Sequence, residues 1–141
     1  RLNALVYASE TEAVMAGREE LFSKRNVRMV PVSQDLSHLF TVSSALSDGE
    51  VVAVPADRLF GSEKSASCVF FGADANFPVG PFALAAARDV PVVAVFVMKE
   101  GAVSYRIMDF PVDGPDAFAS VLEDIVRRYP YQWFNFYNFW E

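Results

Sequence analysis

The chain has 141 residues, of which 52% are hydrophobic and 21% charged, enough apolar material for one packed domain at the usual ~100 to 200 residues each. A formal charge of -6 excludes the broad basic surface that a nucleic-acid backbone requires. A single cysteine excludes an internal disulfide and a multi-cysteine metal site. The longest wholly apolar run, residues 90–98, falls well short of the ~20 residues that cross a bilayer as a helix.

The start at Arg1, with an apolar stretch directly after it, reads as a segment of a longer polypeptide and not as a secretion signal. Leu2 to Ala8 suits a buried strand, and Ser9 with Glu12 three residues on forms a capping box for a helix through Val14, Met15, Leu21 and Phe22. Val27 to Val32 is a second strand. Ser33 or Asp35 then opens a helix through Leu36, Leu39, Phe40, Val42 and Leu46, closed by Asp48 and Gly49. Val51 to Pro55 is a continuous apolar strand of the kind buried on both faces of a parallel sheet.

From Asp57 to Ser67 the chain turns polar and reads as a long loop at the carboxyl end of a central strand, where open α/β sheets bind ligands. Ser67 to Gly72 reads as a strand, and residues 76–81 as a turn. Pro81 sits at the start of an alanine-rich helix that is apolar all round. Val90 to Met98 and the more exposed Tyr105 to Phe110 are further strands. Pro115 opens a last helix whose stripe is Phe118, Val121, Leu122, Ile125, Val126 and Tyr129. Strands alternating with helices predict an α/β fold, a mostly parallel sheet flanked by helices, in a single domain over residues 1–141.

Few residues carry chemistry by motif. The stretch Gly61 to Ser65 lacks the glycine that a phosphate loop places before its lysine, and there is neither a nucleophile elbow nor a dinucleotide turn. His38, the only histidine, reads as a partly exposed residue in mid-helix with no acid placed to orient its ring. Cys68 reads as a buried, inert thiol. Asp57 and Arg58 differ, because charges that directly follow an apolar strand must be paired or must reach water. Arg58 can grip a phosphate or carboxylate with its planar fork while Asp57 holds that fork, or the two can form a structural ion pair tying the loop down. Lys64 adds a second cation to the same loop. The aromatic tail from Tyr129 to Trp140 fits helical packing of Trp133, Phe136, Tyr137 and Trp140 on the body, with a face suited to a membrane interface.

Taken together, Val51 to Arg58 (VVAVPADR), Phe70-Phe71-Gly72, Asn76 to Ala87 (NFPVGPFALAAA), Val90 to Val97 and Tyr129 to Trp140 (YPYQWFNFYNFW) resemble the carboxyl half of the bacterial lipid A biosynthesis acyltransferases. These are the lauroyl and myristoyl transferase type within the lysophospholipid acyltransferase superfamily. The resemblance implies an incomplete acyltransferase-type fold and transfer of a fatty acyl chain from an acyl carrier protein thioester to a hydroxyl of a lipid A precursor or related lipid. The setting it implies is the cytoplasmic face of the bacterial inner membrane. The implied partners are acyl carrier protein, the lipid acceptor and the membrane surface, with no cofactor and no metal.

The dyad of such enzymes, a histidine with an acid five positions later, has no counterpart here, since His38 is followed by Ser43 at that spacing. No catalytic residue is therefore assigned in this segment, and the isolated segment is expected to be inactive. By the same resemblance Asp57 and Arg58 take the place of the acceptor-holding block, without the usual Gly-Thr between acid and arginine. Lys64, Phe77, Gly80 and Phe82 are expected to border the acceptor, with Phe77 to Phe82 as an apolar wall. The competing readings are a non-catalytic α/β module binding an anionic lipid or other small ligand, and a Rossmann-like ligand domain.

Overall fold

The computed structural model describes residues 1–7, 22, 24–32, 37–59 and 64–140. The first expected helix with its caps Ser9 and Glu12, the caps Ser33 and Asp35, and loop residues 60–63 lie outside the described residues. The chain divides into two units, Arg1–Pro55 and Ala56–Glu141.

In the first unit, β1 (Leu2–Tyr7) pairs in parallel with β2 (Val27–Val32) and with β3 (Val51–Ala53), in the order β2-β1-β3. Leu2 stands opposite both Val27 and Val51. The apolar run at Val51 is thus an edge strand among the described residues, not a central one, and Val51 itself is exposed. Continuous hydrophobicity alone does not tell an edge from a centre, because position in a sheet is set by pairing.

Helix α1 (Ser37–Ser47) turns His38, Val42 and Ala45 inward at i, i+4 and i+7. Leu39 and Phe40, expected in its stripe, face outward. His38 is buried near the start of this helix instead of partly exposed in its middle. The expected stop at Gly49 holds. Gly49 adopts φ +73°, Glu50 N–H donates to Ala45 O at 2.9 Å and Gly49 N–H to Leu46 O at 3.1 Å, a Schellman closure that needs a left-handed residue.

The second unit opens on the antiparallel hairpin of β4 (Ser65–Phe70) and β5 (Ala73–Pro78). Its two-residue turn is Phe71-Gly72, with φ +54° and +79°, the pair of left-handed residues that a type I′ turn demands. Residues 76–78, read as a turn, therefore finish a strand. The sequence signal misleads because Phe in the first turn position is disfavoured and is held from outside. Glu123 accepts the Phe71 N–H, and the Arg127 guanidinium sits 4.7 Å from the Phe71 ring centroid.

Helix α2 (Gly80–Ala87) carries Pro81 in its first turn, where the missing N–H costs nothing. It buries only Phe82 and Ala85, so an apolar sequence on every side does not bury every side. Alanine is small enough to face water at little cost. Strands β6 (Val93–Lys99) and β7 (Tyr105–Pro111) form a second antiparallel hairpin, and α3 (Pro115–Arg128) buries Phe118, Ala119, Leu122, Ile125 and Val126, close to the stripe expected. The α/β class and a parallel sheet are as the periodicity predicts, while the strands after residue 64 pair antiparallel in two hairpins.

The tail is a 3-10 turn at Pro130–Gln132 followed by irregular backbone, so helical spacing does not govern it. Phe139 enters the core at 5.3 Å from Phe70, 5.5 Å from Phe77 and 5.1 Å from Trp133 between ring centroids. Trp140 Nε1 donates to Phe70 O at 3.0 Å. Phe136 and Tyr137, expected to pack, are exposed, as are Tyr131 and Phe134.

Candidate functional site

Asp57 and Arg58 begin the second unit, just after Ala56 packs against a core that contains Phe70, Phe77, Phe118 and Phe139. The two charged side chains that follow are partly exposed. Arg58 Nε donates to Asp57 Oδ1 at 3.3 Å and Nη2 donates to Oδ2 at 3.1 Å. This fork-to-fork geometry fixes the guanidinium plane. The pair is neither dry nor fully solvated, with side-chain exposure of 40% for Arg58 and 23% for Asp57. A guanidinium so oriented and still reached by water can meet an anion from solution, whereas a pair sealed in a core could not.

Tyr137 is the neighbour that sequence reasoning placed elsewhere. Burial raises its phenol above the ordinary value, the Arg58 charge pulls it down, and Asp57 pushes it up, so both members of the pair lie within electrostatic reach. No spacing rule links residue 57 to residue 137. The only hint was the density of aromatics in the tail.

The remaining expected residues separate into two groups. Lys64 and Gly80 come together at the open end of the β4–β5 hairpin, where Val79 N–H donates to Lys64 O at 3.1 Å. Both are exposed. Phe77 and Phe82, expected as an apolar wall, are instead used by the core, with ring centroids 6.1 Å and 6.3 Å from Phe118. Hydrophobicity marked them correctly as apolar contacts but could not say that the contact is internal.

Two groups are inert. The Cys68 thiol is buried and pushed up to about 11, chiefly by burial and then by Asp116, so it stays protonated. Glu100 is held below the usual carboxylate range by the Arg106 guanidinium and then by the Tyr129 hydroxyl, which donates to it at 2.9 Å. Glu100 borders a shallow depression of about 600 Å³ together with Val97, Lys99, Gly101, Gln132 and Phe134. None of these is an expected site residue, and Gln132 is already bonded to both backbone groups of Lys99. Among the described residues no group of three His, Cys, Asp or Glu side chains is placed to hold a metal, and no helix is long and apolar enough to cross a membrane.

A search of curated proteins finds no match to the chain. A family profile described as bacterial lipid A biosynthesis acyltransferase matches residues 11–141, nearly the whole sequence. The chain belongs to that family, which makes its function of the lipid acyltransferase kind.

Proposed function

We propose that the protein of which this chain is part transfers a fatty acyl group from an acyl carrier protein thioester to a hydroxyl of a lipid A precursor or related lipid, at the cytoplasmic face of the bacterial inner membrane. In this reading Asp57 and Arg58 hold the acceptor through an anionic headgroup. Lys64 and Gly80, exposed at one hairpin end, border it, and Phe77 and Phe82 fix that hairpin and helix α2 from beneath. No proton-abstracting role is given to any residue of this chain. The observation that carries the assignment is the bidentate, water-accessible Asp57–Arg58 pair in a chain of this family.

An arginine held this way offers its planar donors to phosphate or carboxylate without first paying the full ordering cost of a flexible side chain. The net charge of -6 works against an anionic lipid at long range, so attraction must come from such a concentrated local donor set. The test is Arg58→Ala in the full-length enzyme, assayed for acyl transfer in detergent micelles. The expected loss is roughly ten- to hundredfold in kcat/KM, the worth of charge-assisted hydrogen bonds of about 1.5–3 kcal/mol, with thermal melting unchanged. Normal turnover would refute the headgroup role, and a lowered melting temperature beside it would show that the pair only ties the backbone down.

A further inference from the structure

We infer that the aromatic tail and the tip of the β6–β7 hairpin together form the surface that rests on a lipid bilayer, with Phe134 and Phe136 entering the acyl boundary and Lys99 meeting lipid phosphates. This deepens the proposed function by naming the surface that meets the membrane, and it rests on that reading's placement of the protein there.

The surface is built by strand pairing and by hydrogen bonds. In the antiparallel register Val97 stands opposite Ile107 and Lys99 opposite Tyr105, so these four side chains share one face of the hairpin. The other face is turned to the core through Ala94 and Phe96. Val97, Tyr105 and Ile107 are each more than half exposed, and Val103 in the tip loop is 92% exposed. The tail is fastened to the same tip. Gln132 accepts the Lys99 N–H at 2.8 Å and donates to Lys99 O at 2.9 Å, while the Tyr129 hydroxyl donates to Glu100 at 2.9 Å. Phe134 then lines one depression with Val97 and Lys99, and the Phe136 ring stacks on Phe134 at 6.4 Å between centroids, tilted 21°. Tail and hairpin therefore present one continuous apolar surface.

Its chemistry matches a bilayer. Two rings this exposed present on the order of 300 Å², and the aliphatic side chains extend the patch beyond what soluble monomers usually leave bare. Residues 129–140 include no charged residue and set Tyr and Trp among Asn and Gln, a mixture suited to the boundary between acyl chains and headgroups. Cations stand at the border: Lys99 in the depression itself, and Arg128, exposed in the last turn of α3, directly before the tail. An apolar centre with a cationic rim complements acyl chains overlaid by phosphates. Glu100, at the same border, is paired with Arg106, whose Nη2 donates to Oε2 at 3.1 Å. Asp109, exposed opposite Val95, ends the contact on the far side, since a carboxylate is not drawn into an acyl layer.

The test uses the full-length protein with vesicles of phosphatidylcholine and phosphatidylglycerol. An environment-sensitive NBD label is attached to single cysteines introduced by Phe136→Cys, Ile107→Cys or Ser120→Cys, reactive cysteines outside this segment being replaced first. Cys68 is buried and stays in place, and Ser120, exposed on α3, serves as the control. Labels at residues 136 and 107 are expected to brighten and shift to the blue when vesicles are added, and to be quenched by brominated lipid, with the label at residue 120 unchanged. Lys99→Gln is expected to weaken the phosphatidylglycerol-dependent part of vesicle affinity about fivefold, the worth of one cation near an anionic surface. Unchanged affinity in that variant overturns the phosphate contact of Lys99. A silent label at residue 136 on protein that cosediments with the vesicles overturns the inference and leaves the proposed function standing. A response at residue 136 without one at residue 107 overturns the joint surface of tail and hairpin. A response that appears without lipid and grows with protein concentration assigns the face to a second copy of the chain, which overturns the inference as well. Failure of the unlabelled protein to cosediment removes the membrane placement itself, and the inference falls with it.

Discussion

Two phenylalanines three positions apart in the tail should differ by nearly an order of magnitude in what they contribute to stability. Phe139 is 6% exposed and has ring partners in Phe70, Phe77, Trp133, Tyr137 and Trp140, all at 5.1–6.0 Å between centroids. Phe136 is 90% exposed, with Phe134 as its ring neighbour at 6.4 Å. Truncating a buried aromatic loses its transfer free energy and leaves a cavity, together about 3–5 kcal/mol. The rigid rings around Phe139 belong to two strands and to the tail itself, so collapse into that cavity is limited and the upper part of the range applies. An exposed ring offers little to lose, and Phe136→Ala should stay within about 0.5 kcal/mol of the parent. Urea unfolding followed by tryptophan fluorescence measures both, since Trp133 packs at 5.1 Å from Phe139 and reports directly on that region. A cost below about 1 kcal/mol for Phe139→Ala, or equal costs for the two variants, would refute the claim that Phe139 anchors the irregular tail in the core.

Gly72→Ala should cost about 1–2 kcal/mol through the left-handed backbone alone, because φ is +79° and no atom lies within 4 Å of the added Cβ; a smaller loss in thermal melting would argue against the type I′ turn. The Cys68 thiol titrates at 9.0 when unperturbed and at about 11 in the fold, so between those values the unfolded chain has released a proton that the folded chain keeps. Stability from this group is therefore intact below pH 9.0 and falls as pH rises towards 11, by about 2–3 kcal/mol in all, and Cys68→Ala should flatten that slope in urea titrations. Glu123 behaves oppositely. Its carboxyl is held below the usual range by the Phe71 N–H first and the Arg127 guanidinium second, so its contribution is present above its unfolded value of 4.5 and is lost as pH falls through the lower folded value. Glu123→Gln should remove part of the acid-induced loss of stability, measured as a shallower fall of the urea midpoint below pH 4.5.

Much of the secondary structure was legible because periodicity and capping are local. The stripe of α3 and the glycine stop of α1 follow from residue spacing within a few turns, and the structure reproduces them. The Phe71-Gly72 turn was not legible. Its conformation depends on Glu123 and Arg127, about fifty residues away, which hold a phenylalanine in a region it does not favour by itself. The tail shows the same limit, since helical spacing was the obvious reading of Trp133, Phe136, Tyr137 and Trp140, yet the chain leaves the helix at Arg128 and sends Phe139 inward.

The sequence by itself determined the α/β class, the family resemblance and the choice of Asp57 and Arg58, because composition, apolar periodicity and a charged pair after an apolar run are properties of contiguous residues. Only the tertiary structure decided that strand β3 lies at an edge among the described residues and that Phe77 and Phe82 serve the core. Those outcomes depend on which distant segments meet, and that is settled by competition among all the apolar surfaces of the chain for burial.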